Sequence, residues 1–135
     1  MLKRKIYNDL LNWKNNENKE ALIVKGARQV GKSHIIREFG RNEYKSFLEL
    51  NFLEKWIYKE IFSSDDLSAN EIYKRLTLYF PGFELIENNT LLFLDEIQVC
   101  PNARTAIKFL AIDGKVDVIS SGSLLGLLTV RNLLY

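Results

Sequence analysis

A chain of 135 residues can bury one hydrophobic core but not two, and a make-up of 47% hydrophobic and 27% charged side chains excludes collagen-like, disulfide-scaffold and wholly disordered classes. The formal net charge of +2 comes from 19 basic and 17 acidic residues that are interspersed except at Lys3-Arg4-Lys5, so charge lends no support to a nucleic-acid partner. Cys100 and His34 are the sole residues of their types, which rules out an internal disulfide and a Cys/His zinc set and fits a reducing cytoplasm.

The basic start is followed by Asn8, Asp9, Asn12 and Lys14 instead of an apolar signal core, so no export signal is read. Leu2, Ile6, Leu10 and Trp13 recur at helical spacing and predict an amphipathic helix that breaks up in Asn15-Asn16-Glu17-Asn18. Ala21-Leu-Ile-Val-Lys25 is a short apolar run of the kind buried on both faces of a parallel sheet.

Gly26-Ala27-Arg28-Gln29-Val30-Gly31-Lys32-Ser33 then matches G-x-x-x-x-G-K-[ST] between a predicted strand and a predicted helix. Glycines let the backbone N–H groups turn toward phosphate oxygens, and the helix starting near Lys32 adds its positive end. Lys32 is expected on the β- and γ-phosphates, and the Ser33 hydroxyl as a ligand of Mg2+. Arg28 and Gln29 occupy positions of the loop that tolerate many residues. His34 reads as a packed or exposed side chain, not a catalytic one.

The helix from Ser33 to Phe39 is expected to end at Gly40 as its C-cap, with Ser46 to Phe52 as a second strand. Leu53 to Ile61 reads as helical. Ser68-Ala69-Asn70-Glu71 has the form of a capping box opening a helix with Ile72, Leu76 and Tyr79 on one face, stopped by Pro81-Gly82.

Thr90-Leu91-Leu92-Phe93-Leu94 is a third strand that ends abruptly in Asp95-Glu96. Both carboxylates then lie at the C-terminal end of a strand, where ligands sit in open α/β sheets. Asp95 is expected to orient Mg2+ and Glu96 to polarise the attacking water as general base. Asn102 is a candidate cap for a helix running to about Ile112, in which Arg104 reads as solvent-exposed and not as an arginine finger. Asp113-Gly114 turns the chain, and Val116 to Ser120 supplies a fourth strand ending in Ser120-Ser121-Gly122-Ser123. Ser121 is the expected sensor of the γ-phosphate, and Ser123 is the alternative. The apolar run Leu124 to Val130 falls far short of the roughly 20 residues of a membrane helix, so a soluble protein with no membrane partner is expected. The alternation of strands and helices predicts an α/β fold with a parallel sheet covered on both faces, organised as one domain over 1–135.

GARQVGKS, LLFLDEIQ with Pro101 shortly after it, and VISSGSLLG together resemble a family of AAA+-type P-loop ATPases found widely in bacteria and archaea. The resemblance covers almost the whole chain. It implies a three-layer sandwich, Lys32 and Ser33 as the P-loop pair, Asp95 and Glu96 as the magnesium-site and catalytic acids, and Ser121 as sensor 1. Members of that family order their sheet 5-1-4-3-2 and continue into a fifth strand, an arginine finger, a lid and a C-terminal domain of winged-helix-like and nuclease-like character. Here the expectation is an incomplete domain, with residues 1–20 as N-terminal helix and linker and 21–135 as P-loop core. The fifth strand and lid are expected to be missing, which leaves the P-loop strand on an exposed edge open to self-association.

Two functions follow: an ATPase acting on ATP with Mg2+, or a nucleotide-binding switch without turnover. No N-K-x-D element for guanine, no D-x-D after the second strand and no L-S-G-G-Q signature is present. Adenine is preferred through the resemblance, and both DNA and protein remain open as clients of the parent protein.

Overall fold

The computed structural model describes residues 2–25, 31–122 and 131–134. In chain order these form α1 (Leu2–Lys14), β1 (Leu22–Lys25), α2 (Lys32–Glu43), β2 (Ser46–Asn51), a 3-10 helix (Trp56–Phe62), α3 (Ala69–Tyr79), β3 (Thr90–Asp95), a short 3-10 turn (Ile97–Val99), α4 (Pro101–Asp113), β4 (Asp117–Gly122) and β5 (Arg131–Leu134). The five strands make one sheet in the order β2-β3-β4-β1-β5, and every pairing is parallel. Read from the other edge, this is the 5-1-4-3-2 order that the family resemblance implies.

Strand alternation divides the core into two layers, one on each face of the sheet. Leu22, Val24, Leu91, Phe93 and Ile119 point to one face, where Ile6, Leu10 and Trp13 of α1 and Ile35, Ile36 and Phe39 of α2 cover them. Leu50, Leu92, Leu94 and Val118 point to the other, against the 3-10 helix, α3 and α4. β3 is buried along its whole length, which is why its sequence reads as an unbroken apolar run and not as an alternation. Each fully buried Leu, Ile or Phe contributes about 1.5–3 kcal/mol relative to an exposed one, so the sheet is held chiefly by these two faces. A polar clasp adds to them: the Tyr44 hydroxyl donates to Asp117 Oδ2 at 2.6 Å, and Lys19 stands 3.5 Å from the other oxygen of that carboxylate. Burial, reinforced by the Asp117 charge, pushes the Tyr44 phenol well above its ordinary value, so it remains a donor.

The expectation of a missing fifth strand is overturned. Arg131–Leu134 pairs with β1 along its full length, from Leu22 beside Arg131 to Lys25 beside Leu134. The segment is too short and too mixed to announce itself by pattern, but β1 presents a second row of backbone N–H and C=O groups that require partners, and a parallel neighbour supplies them. β1 therefore lies between β4 and β5, and the exposed edge that argued for self-association is covered.

Three local expectations also change. Gly40 does not end α2. The helix continues to Glu43, and Tyr44 N–H caps back to the Gly40 carbonyl at 3.2 Å. Gly40 is buried where α2 crosses β2, and a Cβ there would overlap the Phe47 ring, so glycine serves close approach and not termination. Gly40→Ala is expected to lower stability by about 1–2 kcal/mol, the overpacking cost exceeding the better helix propensity of alanine; a urea denaturation curve with an unchanged midpoint would show that the ring simply moves aside. The capping box at Ser68 is not formed, because Asp66 accepts the Ser68 backbone N–H at 3.0 Å and Glu71 turns to Lys74 at 2.9 Å. Asn102 does not cap α4 either. Cys100 is the N-cap, Pro101 opens the helix, and the Asn102 amide donates to the Phe62 carbonyl at 2.7 Å. The Leu53 to Ile61 stretch is a 3-10 helix shifted to Trp56–Phe62.

Candidate functional site

All strands run the same way, so their C-terminal ends gather at one rim of the sheet. The connections leaving β1 and β3 there lead to opposite faces, to α2 on one and α4 on the other, the arrangement that places ligands at that rim in open α/β sheets. Gly26, Ala27, Arg28, Gln29 and Val30, the first five residues of the phosphate-loop motif, lie outside the described residues, as does Ser123.

The motif re-enters at Gly31, whose φ of +120° is a conformation that side-chain-bearing residues rarely adopt. Beyond its chain neighbours no described residue lies within 4 Å of where a Cβ would stand, so backbone freedom accounts for the glycine among them. Its carbonyl accepts the first turn of α2 from Ile35 N–H at 2.9 Å. Lys32 and Ser33 follow as the first residues of the helix, and that first turn holds no acidic side chain. A cation at the positive end of a helix is placed against the macrodipole. Burial also pushes the Lys32 ammonium below its ordinary value. An anion at this helix end relieves both penalties.

Opposite Ser33 stands Asp95, at the end of β3 and 6% exposed. Register explains the encounter. Asn51 on β2 is the direct partner of Asp95, and residues 51, 95 and 121 share the face that α2 covers. The Asp95 carboxylate collects four donors. Ser33 Oγ donates to Oδ2 at 3.2 Å and Asn51 Nδ2 makes a long 3.5 Å contact to the same oxygen; Glu96 N–H donates to Oδ1 at 2.9 Å, and Ser121 Oγ makes a very short bond to it. One turn further along α2, Arg37 forms a two-pronged pair with Glu49, Nε to Oε1 at 2.6 Å and Nη2 to Oε2 at 3.0 Å, and Glu49 holds its pKa above the ordinary arginine value.

Glu96 departs from the strand. Its φ of +57° and ψ of +45° lie in the left-handed region, a conformation that costs a non-glycine residue about 1–2 kcal/mol. The turn is held by the Glu96 N–H bond to Asp95 Oδ1 and by Val99 N–H on the Glu96 carbonyl at 3.3 Å. The half-buried Glu96 side chain accepts from Gln98 Nε2 at 2.9 Å. His34 is exposed on α2, and Arg104 is half-buried on α4.

The structure thus brings Ser33, Asp95 and Ser121 into one hydrogen-bonded group with Lys32 adjacent in sequence and Glu96 on the next turn. Sequence reasoning passed over Asn51, Arg37 and Gln98. Asn51 carries the same signal as Asp95, a polar residue closing an apolar strand. Arg37 lies one helical turn beyond Ser33, but pairing it with Glu49 requires knowing that α2 crosses β2. A separate cavity of about 300 Å3, lined by Trp13, Lys19, Ala21, Val116 and Asp117 among others, lies at the opposite end of the strands and shares none of these groups.

The donor set suits Mg2+. This ion favours a few hard oxygen ligands completed by water and phosphate over a cage of carboxylates, and Ser33 Oγ and Asp95 Oδ2 stand side by side. Among the described residues no cluster of three or more His, Cys, Asp or Glu side chains forms an all-protein metal cage. Nor, among them, is any helix long and apolar enough to cross a membrane.

A protein-family model described as "AAA domain" matches residues 18–133. No curated protein matches the chain. Among solved structures, that of PCH-2 from C. elegans is similar in fold, with a TM-score of 0.56 at 12% sequence identity over 97% of this chain. The chain spans 41% of the length of that structure.

Proposed function

The chain belongs to the AAA domain family, and from that premise we propose that it binds ATP together with Mg2+ and that the protein it represents hydrolyses ATP to ADP and phosphate. The observation that carries the reading is the buried Asp95 carboxylate engaged at once by Ser33 from the start of α2 and by Ser121 from the end of β4. Three segments distant in sequence converge on one carboxylate beside a helix start that favours an anion.

In this reading the backbone of Gly26 to Gly31 and the Lys32 ammonium hold the β- and γ-phosphates. Ser33 Oγ and Asp95 hold Mg2+, which when bound neutralises charge on the phosphate oxygens. Glu96 accepts the proton of the water that attacks the γ-phosphorus as the bond to the β–γ bridging oxygen breaks. Ser121 hydrogen-bonds the γ-phosphate or that water, and Asp95 keeps its hydroxyl oriented. The transphosphorylation reading is weaker, because a kinase needs no water-activating carboxylate in Glu96's place. A partner domain or further copies of the chain belong to the same proposal through the family, as does the nature of the client.

Purified protein is expected to bind ATP and to release phosphate only when both ATP and Mg2+ are supplied. Release at background level with binding intact would leave a nucleotide-binding switch in place of an ATPase. Absence of binding would overturn the proposal outright.

A further inference from the structure

Gln98 sits outside the set of residues used above, yet its side chain is tied to that set at both ends. Its Nε2 donates to Glu96 Oε1 at 2.9 Å. Its Oε1 is buried and has no hydrogen-bond partner among the described residues. That oxygen lies against Gly122, the last residue of β4, so closely that a Cβ at 122 would overlap it. A side chain at position 122 would therefore push the carboxamide off Glu96.

Burying a polar acceptor without a donor is costly, and a methionine of the same length would fill the site without that penalty. An arrangement that spends stability in this way, on a strained turn whose central residue is Glu96, needs another reason to persist. Gly122 has no positive φ, so its lack of a side chain here serves space and not backbone freedom. Its neighbour Ser121 reaches the opposite face of the sheet to meet Asp95. The end of β4 thus touches both members of the acidic pair, Asp95 through Ser121 and Glu96 through Gly122 and Gln98.

We infer that Gln98 is a positioning residue for Glu96, seated on the bare Gly122, and that it fixes the direction of the carboxylate through one of its oxygens. This rests on the hydrolytic reading above. In this proposal Gln98 acts through Glu96. Removing a group of this kind costs about ten-fold or more in turnover.

The test compares ATP hydrolysis, ATP affinity and thermal midpoint in wild type, Gln98→Met, Gly122→Ala and the double variant. Gln98→Met is expected to lower kcat about ten-fold, with ATP affinity and KM unchanged and a midpoint no lower than wild type. A merely structural glutamine would give the reverse, a lower midpoint with kcat intact, and that result overturns the inference. Gly122→Ala is expected to reproduce the kcat loss and to add nothing further in the Gln98→Met background, because both act on one contact. Additive losses would mean that Gly122 acts through Ser121 and would remove it as the seat of Gln98. Wild type without turnover would sink the hydrolytic reading and this inference together, an outcome distinct from active wild type with unaffected variants, which sinks this inference alone.

Discussion

Lys32→Ala is expected to weaken ATP binding by about 100-fold or more, a loss of about 2.7 kcal/mol, while leaving the fold intact. The lysine stands at the first position of α2, where the helix dipole and partial burial both disfavour its charge. Removing the ammonium takes a positive point charge away from the proposed phosphate site. Isothermal titration with ATP and Mg2+, run beside a thermal melt, separates the two effects. Retained affinity would show that the phosphate-loop backbone carries binding without the lysine. A collapsed melt would show that the lysine is structural.

Glu96→Gln is expected to lower ATP turnover by about a hundred- to ten-thousand-fold, the range for loss of a general base, with ATP binding preserved. The amide keeps the size of the carboxylate and can still meet Gln98, so the strained turn at φ +57° has no reason to relax. What the substitution removes from the proposed site is its proton acceptor. Phosphate release under saturating ATP measures the effect, and rates equal to wild type above background would remove Glu96 from the chemistry. Asp95 offers the contrast: 6% exposed and bound by four donors, it cannot be exchanged for asparagine without turning some of those contacts from attraction to repulsion. A neutral variant at 95 therefore mixes stability with function, and position 96 is the cleaner probe.

The family relation limits what the fold likeness adds. At 12% identity the resemblance to PCH-2 speaks for the arrangement of strands and helices only. The proposed chemistry rests on the convergence at Asp95 and on the Gly31-Lys32-Ser33 helix start.

Much of this molecule is legible along the chain. The amphipathic spacing of Ile6, Leu10 and Trp13, the apolar runs of β1 and β3, and the glycine-lysine-serine that opens α2 are local signals, because each reflects a periodicity or a backbone requirement of its own segment. The same holds for the placement of Asp95 and Glu96 at the end of a strand. Local signals failed where the partner of a group lies elsewhere. Gly40 looks like a helix stop until Phe47 is seen against it, Ser68-Glu71 looks like a capping box until Asp66 takes the backbone N–H, and Arg131–Leu134 looks like a tail until β1 pairs with it.

What the sequence alone determined is therefore the fold class, the alternation of strands and helices as far as β4, and the phosphate-loop motif with the two acids. These follow from hydrophobic period and from the few residue types that tolerate a given backbone. The tertiary structure decided which hydroxyl faces which carboxylate, that β1 is flanked on both sides, and that Gln98 holds Glu96 over Gly122. Those depend on strand register and helix crossing, which bring the hydroxyls of Ser121 and Ser33 to a carboxylate 26 and 62 residues away and leave no periodic trace in either segment.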